Sequence, residues 1–297
     1  YHVPELAIVS LRLGRIDRKL RDMIASGNPV TPDALKALQA NNQPLDAELI
    51  VPFVLEAFEN AVAEDALPGL AQFAADPAIQ EAIGRLADWD FSTPTGIQQG
   101  FDPGDNPLAL PEPSQEEIAN SVAATIFAVF RGQAIDNTID ATLSAIGLGD
   151  NLPSGRVANR AFIHLLQAFD ENQGVGASGV PFFNPPEAIA EMEPTPAERR
   201  DFILLASLKA ALDLLASDEF APAFANSTDQ EDYRWGRLHR IVFAHPLDTL
   251  PFNVPRGFGL NNLSEDLPGV ARSGGFDVVD ASSYSPRADG VNEFMFS

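Results

Sequence analysis

A chain of 297 residues, 45% hydrophobic and 21% charged, is long enough for one large domain or two unequal ones and too apolar for a disordered tail or a low-complexity linker. Forty-two acidic residues against nineteen basic ones leave a formal charge of -23, which repels phosphate backbones and anionic headgroups and argues against nucleic acid as a partner. Cysteine is absent, so disulfides, thiolate metal sites and a cysteine nucleophile are excluded.

In chain order, Leu6, Ile8, Leu11, Leu13, Ile16, Leu20 and Ile24 alternate with Arg12, Arg15, Asp17, Arg18 and Lys19 at a spacing that predicts one amphipathic helix over 5–26, closed by Gly27. Thr31, Pro32 and Asp33 read as the N-cap and first turn of a short second helix ending near Ala40. A third begins near Leu45 and buries Leu49, Val51, Val54, Leu55 and Phe58, with Pro52 near its start or at a kink. Pro77 to Leu86 is a further helix. The glycine- and proline-rich stretch from Thr93 to Pro113 is a long loop, and long loops in folded domains usually serve a function.

Ser114-Gln115-Glu116-Glu117 is a capping box leading into Ile118, Val122, Ile126, Phe127 and Phe130. Ser154 to Phe169 repeats the helical pattern, and Thr195-Pro196-Ala197-Glu198 is a second capping box, before Phe202, Leu205, Leu208, Leu212 and Leu215. After about Asn226 the period changes: Ile241-Val242-Phe243, Phe276-Asp277-Val278-Val279 and Phe294-Met295-Phe296 are short β-favouring runs between turn residues. The expected fold class is α+β, mainly α: a helical region over 1–226 followed by a shorter β-rich region over 227–297. No apolar run approaches the roughly 20 residues of a membrane span, so no membrane contact is expected.

Recognisable chemistry is sparse. The histidines at positions 2, 164, 239 and 245 fit no zinc-ligand spacing. His164, beside leucines, reads as a core or boundary residue, and a structural role is favoured for His239 and His245. Asp170-Glu171-Asn172-Gln173-Gly174 lacks the glycine position and terminal glutamate of a calcium loop and reads as a helix end, while Asp102-Pro103-Gly104-Asp105-Asn106 reads as a tight turn. Gly147-Leu148-Gly149 and Gly174-Val175-Gly176 lack the strand and helix that flank a phosphate cradle. No serine nucleophile elbow is present. Taken alone, the residues give an acidic, mainly helical chain without a complete active site.

Four blocks in order carry a resemblance that goes further. Tyr233-Arg234-Trp235-Gly236-Arg237-Leu238-His239-Arg240, continuing to His245-Pro246-Leu247, resembles a block late in the β subunit of penicillin acylase-type N-terminal nucleophile hydrolases. Leu11 to Arg18 with Thr31-Pro32-Asp33 and Leu38-Gln39, then Leu86 to Asp90, then Gly274 to Asp280 with Ser282-Ser283-Tyr284, resemble further stretches of that subunit. The resemblance implies an internal piece of an Ntn-hydrolase β subunit, partnered by the remaining α and β segments of one precursor. In that family an N-terminal serine attacks a linear amide of the β-lactam side-chain or acyl-homoserine lactone type. Its own α-amino group, with a pKa near 8, takes the proton through a bridging water, and an asparagine and backbone N–H groups hold the oxyanion.

This chain opens on Tyr1, so the nucleophile and oxyanion segments are expected upstream and no catalytic residue is expected within it. Its end at Ser297 precedes the family's GqSG-type segment, and the chain alone is not expected to hydrolyse anything. By the resemblance, Arg12 falls where an arginine borders the acyl pocket and orients the substrate; a guanidinium suits this as a rigid, permanently charged fork of donors. No metal ligand or cofactor is expected here, calcium in the intact enzyme being held mostly upstream. Trp235 and His239 read as architecture, and the family points to a periplasmic or secreted enzyme. The rival expectation is a noncatalytic helical binding or scaffolding module.

Overall fold

The computed structural model describes residues 10–241, 269–283 and 285–286. Helix accounts for 59% of the structure and strand for 4%, which makes the fold the mainly α form of α+β that the sequence pattern predicts.

Helix α1 (Leu11–Ala25) starts where the Ser10 hydroxyl accepts from Leu13 N at 3.3 Å. Helix α2 (Pro32–Gln39) is capped by Thr31 with Pro32 in its first turn, as the sequence dictates. Helix α3 (Leu45–Val62) carries Pro52 in its interior, with the ring on the exposed side. Helix α4 (Pro68–Ala74) has no counterpart among the predicted elements: it is seven residues long and lacks a side-chain cap, so only Pro68 signals its start. Helix α5 (Pro77–Ala87) follows, capped by Asp76.

Both bonds of the capping box at α6 (Gln115–Ile135) form: Ser114 Oγ accepts from Glu117 N at 3.2 Å, and Glu117 Oε2 accepts from Ser114 N at 2.6 Å. The helix runs on through a π-helical turn at Asp136–Asp140 into α7 (Ala141–Ala145). The stretch Gln115–Ala145 is long and apolar enough to cross a membrane by length and composition, which corrects the expectation that no such run exists; 83% of its most apolar window is buried inside the fold. Its apolarity is that of a central helix, packed by α5, α8 (Gly155–Gln167) and, beyond the short α9 (Phe169–Asn172) and α10 (Glu187–Ala190), by α11 (Pro196–Leu215). The second capping box, Thr195 with Glu198, starts α11.

The described residues after Asn226 open on two short helical turns before the strands begin. After α12 (Ala221–Phe224), a 3-10 turn at Gln230–Asp232 and α13 (Trp235–Leu238) come first. Strand β1 (Arg240–Ile241) then pairs antiparallel with β2 (Val270–Ala271), and β3 (Gly275–Phe276) pairs parallel with β4 (Ala281–Ser283). The predicted strand over Phe276 to Val279 stops at Phe276 because Asp277 adopts the left-handed conformation (φ 53°), which breaks the extended run even though Val278 and Val279 are buried. His164 is corrected as well: it sits on the solvent face of α8 and is exposed. Residues 5–9 of the first predicted helix, His2, Val242-Phe243, His245, Tyr284 and Phe294 to Phe296 lie outside the described residues.

Candidate functional site

Helix α1 carries two arginines one turn apart with opposite surroundings. Arg15 is 3% exposed; its Nε donates to Asn41 Oδ1 at 3.1 Å, and its two terminal nitrogens donate to Glu48 Oε1 and Gln43 Oε1. Glu48 also pairs with Arg18. Arg12 is exposed and, among the described residues, makes no hydrogen bond or ion pair. One cation therefore fastens α1 to α3 and the 41–43 connection, and the other is left with all its donors available.

The start of α1 is fastened by a residue 266 positions away. Asp277 Oδ2 accepts from Leu11 N at 3.2 Å and Asp277 Oδ1 accepts from the Ser10 hydroxyl at 3.3 Å. A carboxylate at this end complements the positive pole of the helix dipole and fills a backbone donor that the helix itself cannot satisfy.

Asp277 is held in turn by the block around Trp235. The long loop contributes directly to this block, because its Phe101 bridges in parallel to Arg272, with Phe101 N donating to Ala271 O at 3.0 Å and Ser273 N donating to Phe101 O at 3.2 Å. Thr93 Oγ1, buried, lies 2.8 Å from Asn42 O and accepts from Gly274 N at 3.2 Å. The Trp235 indole donates to Gly274 O at 3.0 Å and stacks on the His239 ring, whose Nδ1 lies 2.8 Å from Arg272 O. Both side chains are buried against backbone carbonyl oxygens, the packing and backbone bond expected of them from the sequence. Gly236 is required by close approach: a Cβ there would come within 2.8 Å of Ile97 Cγ1 and 2.9 Å of Thr95 Cβ, while its N–H donates to Thr95 O at 2.8 Å.

A buried ion pair lies beneath. Arg131 Nη1 donates to Asp46 Oδ2 at 2.9 Å, and Asn159 Nδ2 donates to the same oxygen at 3.0 Å. The Arg131 guanidinium also lies over the Phe276 ring at 4.9 Å, and its Nε donates to Pro286 O at 3.3 Å. It thus joins α3, α6 and α8 to the residues flanking Asp277.

The remaining candidates resolve into structure. Asp102 is the anchor of its turn: its carboxylate accepts from Thr95 N at 3.0 Å and from the Thr95 hydroxyl at 2.5 Å, and Asp105 accepts from Asp102 N at 2.9 Å. Burial pushes the Asp102 carboxyl above its usual range, against the pull of those hydrogen bonds and with Asp105 and Glu117 adding to the rise. Asp170 to Gly174 is the end of α9, with Gln173 and Gly174 both at positive φ. Among the described residues, no group of three or more His, Asp or Glu side chains could hold a metal ion. A cleft of about 560 Å³ opens between α2, the 101–103 turn and the β1–β2 pair, lined by Lys36, Phe101, Asp102, Ile241, Arg272 and Asp280. Its two cations are compensated, Lys36 by Asp33 and Arg272 by Asp280.

A family model described as penicillin amidase matches residues 4–296. The chain belongs to the penicillin amidase family. Comparison with individually curated proteins gives no match. Membership attaches amide-bond hydrolase chemistry to this protein, in agreement with the expectation from the four sequence blocks. Among the side chains that build this region of the family member, Arg12, Trp235 and His239 stand out in the sequence. Asp277, Arg15 and Thr93 do not, because their partners lie 26 to 267 residues away along the chain.

Proposed function

We propose that this chain is an interior part of the β subunit of a penicillin amidase-type enzyme, working with the remaining α and β segments of the same precursor. The reaction is hydrolysis of a linear amide between an acyl group and an amine, of the β-lactam side-chain or acyl-homoserine lactone type. The nucleophile is an N-terminal serine outside this chain, whose α-amino group accepts the hydroxyl proton through a bridging water, and an asparagine and backbone N–H groups outside it hold the oxyanion. Any calcium in the intact enzyme is held by those other segments, and the enzyme is exported to the periplasm or secreted.

Arg12 is what this chain contributes to the site. The observation that supports it is the contrast on α1: Arg15 is consumed by three partners, whereas Arg12 is exposed with its donors unspent, on a helix fixed at its first turn and again at Arg15. A helix so held presents the guanidinium from a fixed backbone position, from which its donors can orient a substrate carbonyl or the oxyanion donors, the side chain itself being ordered when they engage. In the complete enzyme, Arg12→Ala is expected to lower kcat/KM for a chromogenic acyl anilide by about tenfold or more with an unchanged melting temperature. Wild-type turnover in that variant would remove Arg12 from the site.

A further inference from the structure

We infer that Asp277 is a positioning residue for the amide cleavage, acting through Arg12; the inference rests on the reading of Arg12 given above. The carboxylate is 6% exposed, and both its oxygens are spent on the first turn of α1, one on Leu11 N and one on the Ser10 hydroxyl. Leu11 is the immediate neighbour of Arg12, so the bond that Asp277 accepts fixes the backbone from which the free guanidinium projects. Ser10 completes a relay: its hydroxyl donates to Asp277 and accepts from Leu13 N, while its carbonyl accepts from Gly14 N at 3.0 Å.

The carboxylate can act as a fixed point because its own backbone is pinned on both sides. Phe276 lies under the Arg131 guanidinium, Gly274 is gripped by Thr93 and Trp235, and Asp280 N donates to Asn41 O at 3.0 Å. Asn41 also accepts from Arg15, so the second fastening of α1 shares a residue with the platform that carries the first. Asp277 holds a left-handed backbone conformation that side chains rarely adopt, and that conformation turns the carboxylate onto α1 instead of continuing β3. Two fastenings one turn apart fix both the axial position of α1 and its rotation, the two coordinates that set where the Arg12 side chain leaves the backbone. The helix dipole adds to this, because an anion at the first turn resists any sliding of α1 that would separate them.

The test is a double-mutant cycle in the complete processed enzyme, with a chromogenic acyl anilide as substrate and folded enzyme counted by active-site titration. Arg12→Ala, Asp277→Ala and the double variant are compared. The expected result is a fall in kcat on the order of tenfold for Asp277→Ala with little change in KM, and no additional fall when Arg12 is already alanine. If Asp277→Ala does not accumulate as folded enzyme, Asp277→Asn carries the same cycle. Its carboxamide oxygen keeps one of the two bonds, and a partial, still non-additive loss is expected. A normal kcat in the Asp277 variants, or a loss that simply adds to that of Arg12→Ala, overturns the positioning role while leaving the reading of Arg12 intact. Wild-type turnover in Arg12→Ala overturns both.

Discussion

The helical body buries Val54, Phe130, Phe162 and Leu208 completely within one core cluster, whereas the segment 269–286 pairs strands of only two or three residues. That segment takes most of its other backbone partners from outside itself: Thr93 and Trp235 at Gly274, Asn41 at Asp280, Arg131 at Pro286, Arg240 at Gly269 and Phe101 at Ala271 and Ser273. A two-stranded pairing is marginal alone in water, so the segment's order depends on these polar groups of the body together with the burial of Phe276, Val278 and Val279. The body is held mainly by apolar burial, at about 1.5–3 kcal/mol for each large side chain fully removed from water. The difference separates two kinds of cooperativity: the body should unfold globally, and the segment should open locally while the body stays folded.

The most disruptive change attacks the buried Arg131–Asp46 ion pair, which serves both regions. Asp46→Ala leaves Arg131 buried without its counter-charge and Asn159 without its acceptor, and a loss of about 3–5 kcal/mol is expected in urea denaturation. The paired change Asp46→Leu with Arg131→Met should recover much of that loss, since no charge is left stranded. A loss under about 1 kcal/mol for Asp46→Ala would show that water reaches the pair. Next in size, Leu208→Ala, wholly inside the body, should cost about 2–5 kcal/mol and shift the global transition without changing which amides of the segment exchange first.

Thr93→Val sharpens the comparison from the other side. It keeps the shape but removes the hydroxyl at Asn42 and Gly274, so hydrogen exchange at Gly274 and Gly275 should accelerate by an amount corresponding to about 1–3 kcal/mol, with protection in α6 and α11 unchanged. Equal acceleration everywhere would mean that the two regions open as one. The smallest effect concerns acid. Because burial raises the folded-state Asp102 carboxyl, the folded protein holds that proton more tightly than the unfolded chain. The group's contribution to stability is therefore fully present below the ordinary carboxylate range and is lost as pH rises through the raised folded value. Asp102→Asn should remove that decline from the stability-against-pH curve, and superimposable curves would contradict the assignment.

The same division explains what is legible in the sequence. In the body, local signals decide: Ser114 with Glu117, Thr195 with Glu198 and Thr31 with Pro32 each name a helix start that the structure keeps, because the partners lie within one turn. Helix α4 escapes sequence reasoning because no side chain caps it. His164 misleads because leucines flank it in sequence while the helical period turns it to the opposite face. In the segment, propensity favours a strand through Val279, but the backbone follows the bond that Asp277 makes to α1, and no local pattern encodes a partner 266 residues distant. Arg12 and Arg15 illustrate the limit at the site itself. Both sit on the same amphipathic helix, and only the placement of Asn41, Gln43 and Glu48 decides which is buried.

The proposal that these 297 residues scaffold an amide hydrolase whose reactive hydroxyl lies in another segment is tested most directly by labelling the complete processed enzyme with a sulfonyl fluoride and mapping the modified peptide. The account predicts loss of amidase activity with one label, on a serine outside this chain. A stoichiometric, inactivating label on any serine within it would contradict the account.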